Sequence, residues 1–140
     1  MKARVHVLTL GVSDLPAALA FYRDGLGLPS EGIVGTEFED GAVAFIPLHG
    51  GLTLALFPFQ SLAKDAAVAV GPPSHAAISI GHIVDSREEV DRLMAKAQIG
   101  GAKVTESARD RFWGGYSGYF QDLDGHLWEI AWNPHWESGD

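Results

Sequence analysis

The residues best suited to chemistry lie between Phe112 and Pro134, in FWGGYSGYFQDLDGHLWEIAWNP. Leu127 to Trp132 reads as a strand, and Glu129 stands inside it between Trp128 and Ile130. An ionised carboxylate buried without a partner costs on the order of several kcal/mol. Glu129 therefore needs a partner, water or a chemical role. Strand alternation sets it on one face with Leu127 and Ala131 and sends Trp128 and Trp132 to the other, as core. On a wet sheet edge it would be an ordinary carboxylate paired with an arginine. Facing a cavity, it could act as a general base or anchor a ligand by hydrogen bonding, and this reading is preferred.

Other groups could share that site. Trp113, Tyr116 and Tyr119 stand among Gly114, Gly115 and Gly118. The aromatic rings either cover a sheet edge or form a flap lining a cleft, with the glycines permitting turns or close approach of a ligand. Tyr119 and Gln121 share parity on one strand and could supply a hydroxyl and an amide. Thr9 and Ser79 are small polar residues on the expected inward faces of two earlier strands. Arg109 and Arg111 precede the flap and read as solvent-exposed, or as charge partners for Glu129 or an anion.

The elements that must position these groups are written twice. Val5 to Val12 is β-rich, Ser13-Asp14 offers a helix N-cap, and Pro16 fits the first turn. Leu15, Ala18, Leu19 and Tyr22 give one apolar helical face, stopped by Gly25 and Gly27. In the second half Ala77 to Val84 is a strand and Ser86-Arg87-Glu88-Glu89 is a capping box. Val90, Leu93, Met94 and Ala97 form the stripe, and Gly100-Gly101 end it. Val12-Ser13-Asp14 matches Val84-Asp85-Ser86 at an offset of 72, and Leu54 to Phe57 matches Trp128 to Ala131 at an offset of 74. Glycine turns at Gly50-Gly51 and at Asp122 to Gly125 join the antiparallel strands that follow.

Each half thus reads βαβββ, module one over about 4–58 and module two over about 76–134. Phe59 to about residue 75, ending in Gly71-Pro72-Pro73, reads as a turn-rich linker, and residues 135–140 as a tail. One such half buries too little to stand alone. The expected fold is α+β: two paired modules forming a curved, mostly antiparallel mixed sheet around a cleft, a natural place for a ligand.

Composition narrows the function. With 140 residues the chain fits one compact domain of paired modules, and no window approaches a membrane span. A net charge of -8 argues against nucleic acid as a partner, since Arg109 and Arg111 are interrupted by Asp110 and make no basic patch. The absence of cysteine excludes disulfides and thiolate ligands. Met1 to Arg4 leads straight into a strand-like run with no secretory apolar region, and with no cysteine the expected location is cytoplasmic.

The segments VSDLPAALAFY at Val12 to Tyr22 and FQDLDGHLWEI at Phe120 to Ile130, with the paired modules, resemble the vicinal oxygen chelate superfamily of glyoxalases, bleomycin-resistance proteins and extradiol dioxygenases. The resemblance implies a homodimer and, in enzymes of that group, a divalent metal held by His and Glu from the cavity face. Carried over residue by residue, its ligand positions fall on Val7, near Ala55, near Ser79 and on Glu129, so only Glu129 keeps a ligand. By alternation His6 and His82 point to the opposite face. His49, His75, His126 and His135 lie at turns, linker and tail. The expectation is a protein with a degenerate metal site and no cofactor. It would bind a small organic molecule through Glu129, with Trp113, Tyr116, Tyr119, Gln121, Thr9 and Ser79 around it. The alternative is a divalent-metal-dependent lyase, isomerase or dioxygenase that uses Glu129 and a rearranged ligand set.

Overall fold

In a computed structural model, residues 1–69 and 78–136 are described. The chain divides into two compact units, Met1–Pro72 and Pro73–Asp140, each with its own four-stranded mixed sheet. Both follow the βαβββ plan, which makes the fold α+β.

In the first unit β1 (Val7–Val12) leads into α1 (Leu15–Leu19). Asp14 caps that helix, its carboxylate accepting the Ala17 N–H at 3.0 Å, and Pro16 lies in the first turn. The helix does not stay α-helical as the apolar spacing predicts; it widens into a π-turn over Ala20–Gly25. Phe21 and Tyr22 are neighbours in sequence and both are buried, their rings edge-to-face at 4.9 Å. The wider turn lets one helical face carry both. β2 (Ile33–Val34), β3 (Val43–Pro47) and β4 (Thr53–Pro58) complete the sheet in the order β1-β4-β3-β2, with β1 parallel to β4. The Gly50-Gly51 turn joins β3 to β4 with both glycines at positive φ.

Phe59 begins a helix, α2 (Phe59–Ala66), where the sequence reading has a turn-rich linker. FQSLAKDA holds no glycine or proline, and its terminator is Ala67 in the left-handed conformation. The glycine and prolines that mark the linker fall outside the described residues. Phe59 lies across β1: a Cβ on Gly11 would stand 2.7 Å from its ring.

The second unit repeats the order. β5 (Ser79–Val84) is followed by α3 (Arg87–Ile99), whose Ser86 hydroxyl accepts the Glu89 N–H as the capping box predicts. Val90, Met94 and Ala97 are its buried stripe, and Leu93 is half-buried. β6 (Lys103–Asp110), β7 (Tyr116–Gln121) and β8 (Leu127–Trp132) complete the order β5-β8-β7-β6, with β5 parallel to β8. At the β7–β8 turn the Asp122 carboxylate accepts the N–H groups of Asp124 and His126 at 3.0 and 2.8 Å. No helix among the described residues is long and apolar enough to cross a membrane.

In each unit one sheet face meets the helix. Leu54, Leu56, Ala44 and Ile46 fill that face in the first, and Phe120, Trp128 and Ile130 in the second, with the rings of Phe120 and Trp128 parallel at 6.2 Å. The opposite face carries exposed groups, among them Val7 and Phe45 in the first unit. Leu56→Ala is expected to destabilise the protein by about 2–5 kcal/mol, Ser86→Ala by about 1 kcal/mol and Val7→Ala by about 0.5 kcal/mol or less. Denaturant unfolding measures all three, and near-equal losses at Leu56 and Val7 would contradict the assignment of covered and open faces.

Candidate functional site

The β5–β8–β7 register decides what surrounds Glu129. Gly81 stands opposite it on β5 and Tyr119 opposite it on β7. The same registers set Ser79 beside Leu127, Gln121 on the far side of Leu127, and Ser117 beside Ala131. Because side chains alternate along a strand, Ser79, Gly81, Leu127, Glu129, Ala131, Ser117, Tyr119 and Gln121 share the face away from α3. That the helix lies on the other face is independently clear, since a Cβ on Gly118 would stand 2.9 Å from the Met94 methyl.

Glu129 is half-buried and accepts a hydrogen bond from the Tyr119 hydroxyl. Burial raises the Tyr119 pKa, the Glu129 charge and that hydrogen bond raise it further, and Arg111 opposes them. Its other flank is Gly81, which has no side chain, and a Cβ built there would find no atom of the described residues within 4 Å. Glu129 is thus a carboxylate flanked on one side by a phenol and open on the other above a glycine. Such a group can accept a hydrogen bond or a positive charge from a ligand lying over Gly81.

Arg111 completes this face. Its Nε donates to the Ser117 hydroxyl at 2.9 Å and its Nη2 to the Ser117 carbonyl at 2.9 Å, and its guanidinium lies 5.6 Å from the centre of the Tyr119 ring. Arg109 instead pairs with Glu106 at 2.8 Å. The two arginines flanking Asp110 therefore separate, one into a surface ion pair and the other onto the Glu129 face.

Of the residues expected around Glu129, the structure brings Tyr119, Gln121 and Ser79 to its face. Gln121 spends an N–H on the Gly125 carbonyl. Tyr116 is not among them. Its parity is that of Gly118 and Phe120, so it stands on the helix side, its hydroxyl donating to Asp91 at 2.7 Å and its ring under Arg87. That bond to Asp91 is the largest cause of its own raised pKa. Trp113 lies against Gly115, where a Cβ would collide with its ring, in the turn between β6 and β7. Thr9 belongs to the first unit, exposed on the open face of β1 opposite Ala55.

The first unit has a cavity of its own, about 630 Å³, between the open sheet face (Val7, Val34, Phe45, Pro47 and Thr53) and the segment Pro29 to Gly32. Ser30 holds that segment to the sheet, its hydroxyl donating to the Phe45 carbonyl at 2.8 Å and accepting the Gly32 N–H at 3.1 Å. Sequence reasoning missed this pocket. The signal available was Phe45 and Pro47 alternating with buried Ala44 and Ile46.

The donor set does not fit a divalent metal. Val7 and Ala55 offer no ligating atom, Ser79 only a neutral hydroxyl, and Gly81 beside Glu129 no side chain at all. Among the described residues no three His, Cys, Asp or Glu side chains converge as a metal site requires. His82 pairs with Ile130 on the helix side, as alternation predicts. His75 lies outside the described residues.

The family model of the Glyoxalase/Bleomycin resistance protein/Dioxygenase superfamily matches residues 4–130. Among solved structures, a glyoxalase-related enzyme from Fulvimarina pelagi is 34% identical with a TM-score of 0.83, over 99% of this chain and 96% of that one. A lactoylglutathione lyase from Agrobacterium tumefaciens is 24% identical (TM-score 0.69, 99% and 100% covered). The fosfomycin resistance protein FosX from Listeria monocytogenes is 22% identical (TM-score 0.70, 96% and 97% covered). At those identities the last two show the fold alone. No curated protein matches the chain.

The Tyr119–Glu129 bond has a titration signature. A phenol whose folded pKa is raised contributes stability below its unfolded value of about 10 and loses it as pH rises through the folded value. Glu129→Gln is expected to move Tyr119 ionisation, followed by ring NMR shifts, back toward that value without reaching it, because burial persists. An unchanged Tyr119 titration would contradict the bond.

Proposed function

The chain belongs to the Glyoxalase/Bleomycin resistance protein/Dioxygenase superfamily, and from that premise we propose that it binds a small organic molecule without a metal, with Glu129 as the polar anchor. One observation carries this reading: Glu129 stands between Tyr119 on one strand and the side-chain-free Gly81 on the other. A carboxylate so placed is oriented before the ligand arrives, so less ordering is needed on binding. The neighbouring phenol ring adds a face on which a planar or cationic ligand can rest.

The alternative activity, a metal-dependent lyase, isomerase or dioxygenase, would need two further ligands on the same face. Ser79 and Gly81, beside Leu127 and Glu129 on that face, supply no imidazole or carboxylate, which is why binding without metal is the better-supported function. Two further parts of the proposal, a homodimer and a cytoplasmic location, rest on family resemblance and on the lack of cysteine. Light scattering of the purified protein tests the first.

The ligand test is a thermal-shift screen of small planar and cationic molecules in the presence of excess chelator. A ligand at 100 times its Kd should stabilise the protein by about 2.7 kcal/mol, with no turnover and no effect of chelator. Glu129→Gln should weaken a cationic hit roughly tenfold or more, as loss of a charge-assisted hydrogen bond requires. Gly81→Val should close the space over the strand while leaving the fold as stable or up to about 1 kcal/mol more stable, since a β-branched residue replaces glycine. Hits that vanish with chelator, or that bind Gly81→Val as well as the parent, would contradict the reading.

A further inference from the structure

Arg111 is the group on the Glu129 face that the proposed function leaves unused. Its Nε and one edge of Nη2 are committed to Ser117, a fully buried residue whose position is fixed by the β7–β8 ladder. A guanidinium has five N–H donors in a rigid plane. Two of them point at Ser117, which leaves both N–H groups of Nη1 and the second of Nη2. These form the end-on fork that matches a carboxylate. The guanidinium carbon lies over the Tyr119 ring, 5.6 Å from its centre.

The charge meets the Tyr119 ring but no carboxylate among the described residues. Arg23, Arg87 and Arg109 each hold a carboxylate of Asp24, Asp110 and Glu106 respectively. Arg4, Arg92 and Arg111 make no ion pair among the described residues, and of these three only Arg111 is half-buried, in a chain of net charge -8. Closing the turn between β6 and β7 does not explain it either. The Arg111 N–H to Gly115 carbonyl and Gly114 N–H to Arg111 carbonyl bonds, 2.9 and 3.1 Å, already do so through backbone alone. Any neutral donor could satisfy Ser117. A half-buried cation aimed by a buried serine, on the face that holds Glu129, has the construction of an anion receptor.

We propose that Arg111 recognises a carboxylate on the ligand, so that the molecule bound at the Glu129 face is a small organic acid with its carboxylate on Arg111 and a hydrogen-bond donor or cationic group toward Glu129. This rests on the ligand-binding reading above and specifies its ligand class. Arg111 supplies the fork, Ser117 its orientation, and Tyr119 the surface between the two charges.

The experiment titrates the full chain by NMR with three probes of one shape: benzoate, benzamide and benzylamine. Benzoate should shift the Arg111 Nε–H and the Ser117 amide, and benzamide should bind about tenfold more weakly or worse, since it lacks the charge. Arg111→Lys keeps the charge but loses the fork, and should lower benzoate affinity about tenfold while leaving benzylamine binding unchanged. Glu129→Gln should do the reverse, removing the benzylamine response and sparing benzoate. Benzylamine binding with no benzoate response overturns the carboxylate assignment and leaves the Glu129 reading standing. Equal binding of benzoate and benzamide to the parent protein overturns the assignment whatever the variants do. A benzoate response elsewhere on the chain that survives Arg111→Lys also overturns it. No response to benzylamine counts against the Glu129 reading itself.

Discussion

The parallel pairing of β5 with β8 is the constraint on which the site depends. It places Gly81 against Glu129 and, through β7, Tyr119 on the other side. A strand has two faces, and α3 covers one of them with Val90, Met94 and Ala97. A slip of one residue in β8 would carry Glu129 under that helix and bring Trp128 and Ile130 into the open. The burial of those two apolar side chains therefore holds the carboxylate on the face away from α3. The core and the site are two sides of one register.

The repeat makes the division of labour visible. In the first unit the same parallel pairing sets Thr9 against Ala55, as Gly81 stands against Glu129 in the second. The scaffold is equivalent, but the first unit places a methyl group where the second places a carboxylate. What the first unit offers instead is an apolar pocket walled by Val7, Val34, Phe45 and Pro47, its segment pinned by the Ser30 hydroxyl. The two modules share a scaffold and differ in the chemistry of their open faces, apolar in the first and carrying a carboxylate in the second.

Much of this was legible in the sequence because it rests on local rules. Asp14 and Ser86 cap helices as their types require, and the period of two put Glu129 opposite Trp128 and Trp132. It also separated His82 from the open face. The π-turn at Ala20–Gly25 escaped because two adjacent aromatic residues, each compatible with an α-helix, are buried together only in tertiary context. The helix at Phe59–Ala66 escaped because the glycine and prolines beyond it dominated the segment. Tyr116 and Tyr119 are near in the chain but three residues apart, so their parity is opposite and Asp91 on α3 claims the Tyr116 hydroxyl. Arg111 resembled Arg109 in sequence. Only the position of Ser117, six residues on and across a turn, distinguishes an aimed guanidinium from a surface ion pair.

The central claim is that this family scaffold has kept Glu129 while the rest of its face cannot hold a metal. The direct measurement is elemental analysis of purified protein before and after incubation with Zn²⁺, Ni²⁺, Mn²⁺ and Fe²⁺, followed by desalting. The account predicts protein without stoichiometric metal under every condition. Near-stoichiometric metal that survives desalting in the parent protein and is lost in Glu129→Gln would contradict it.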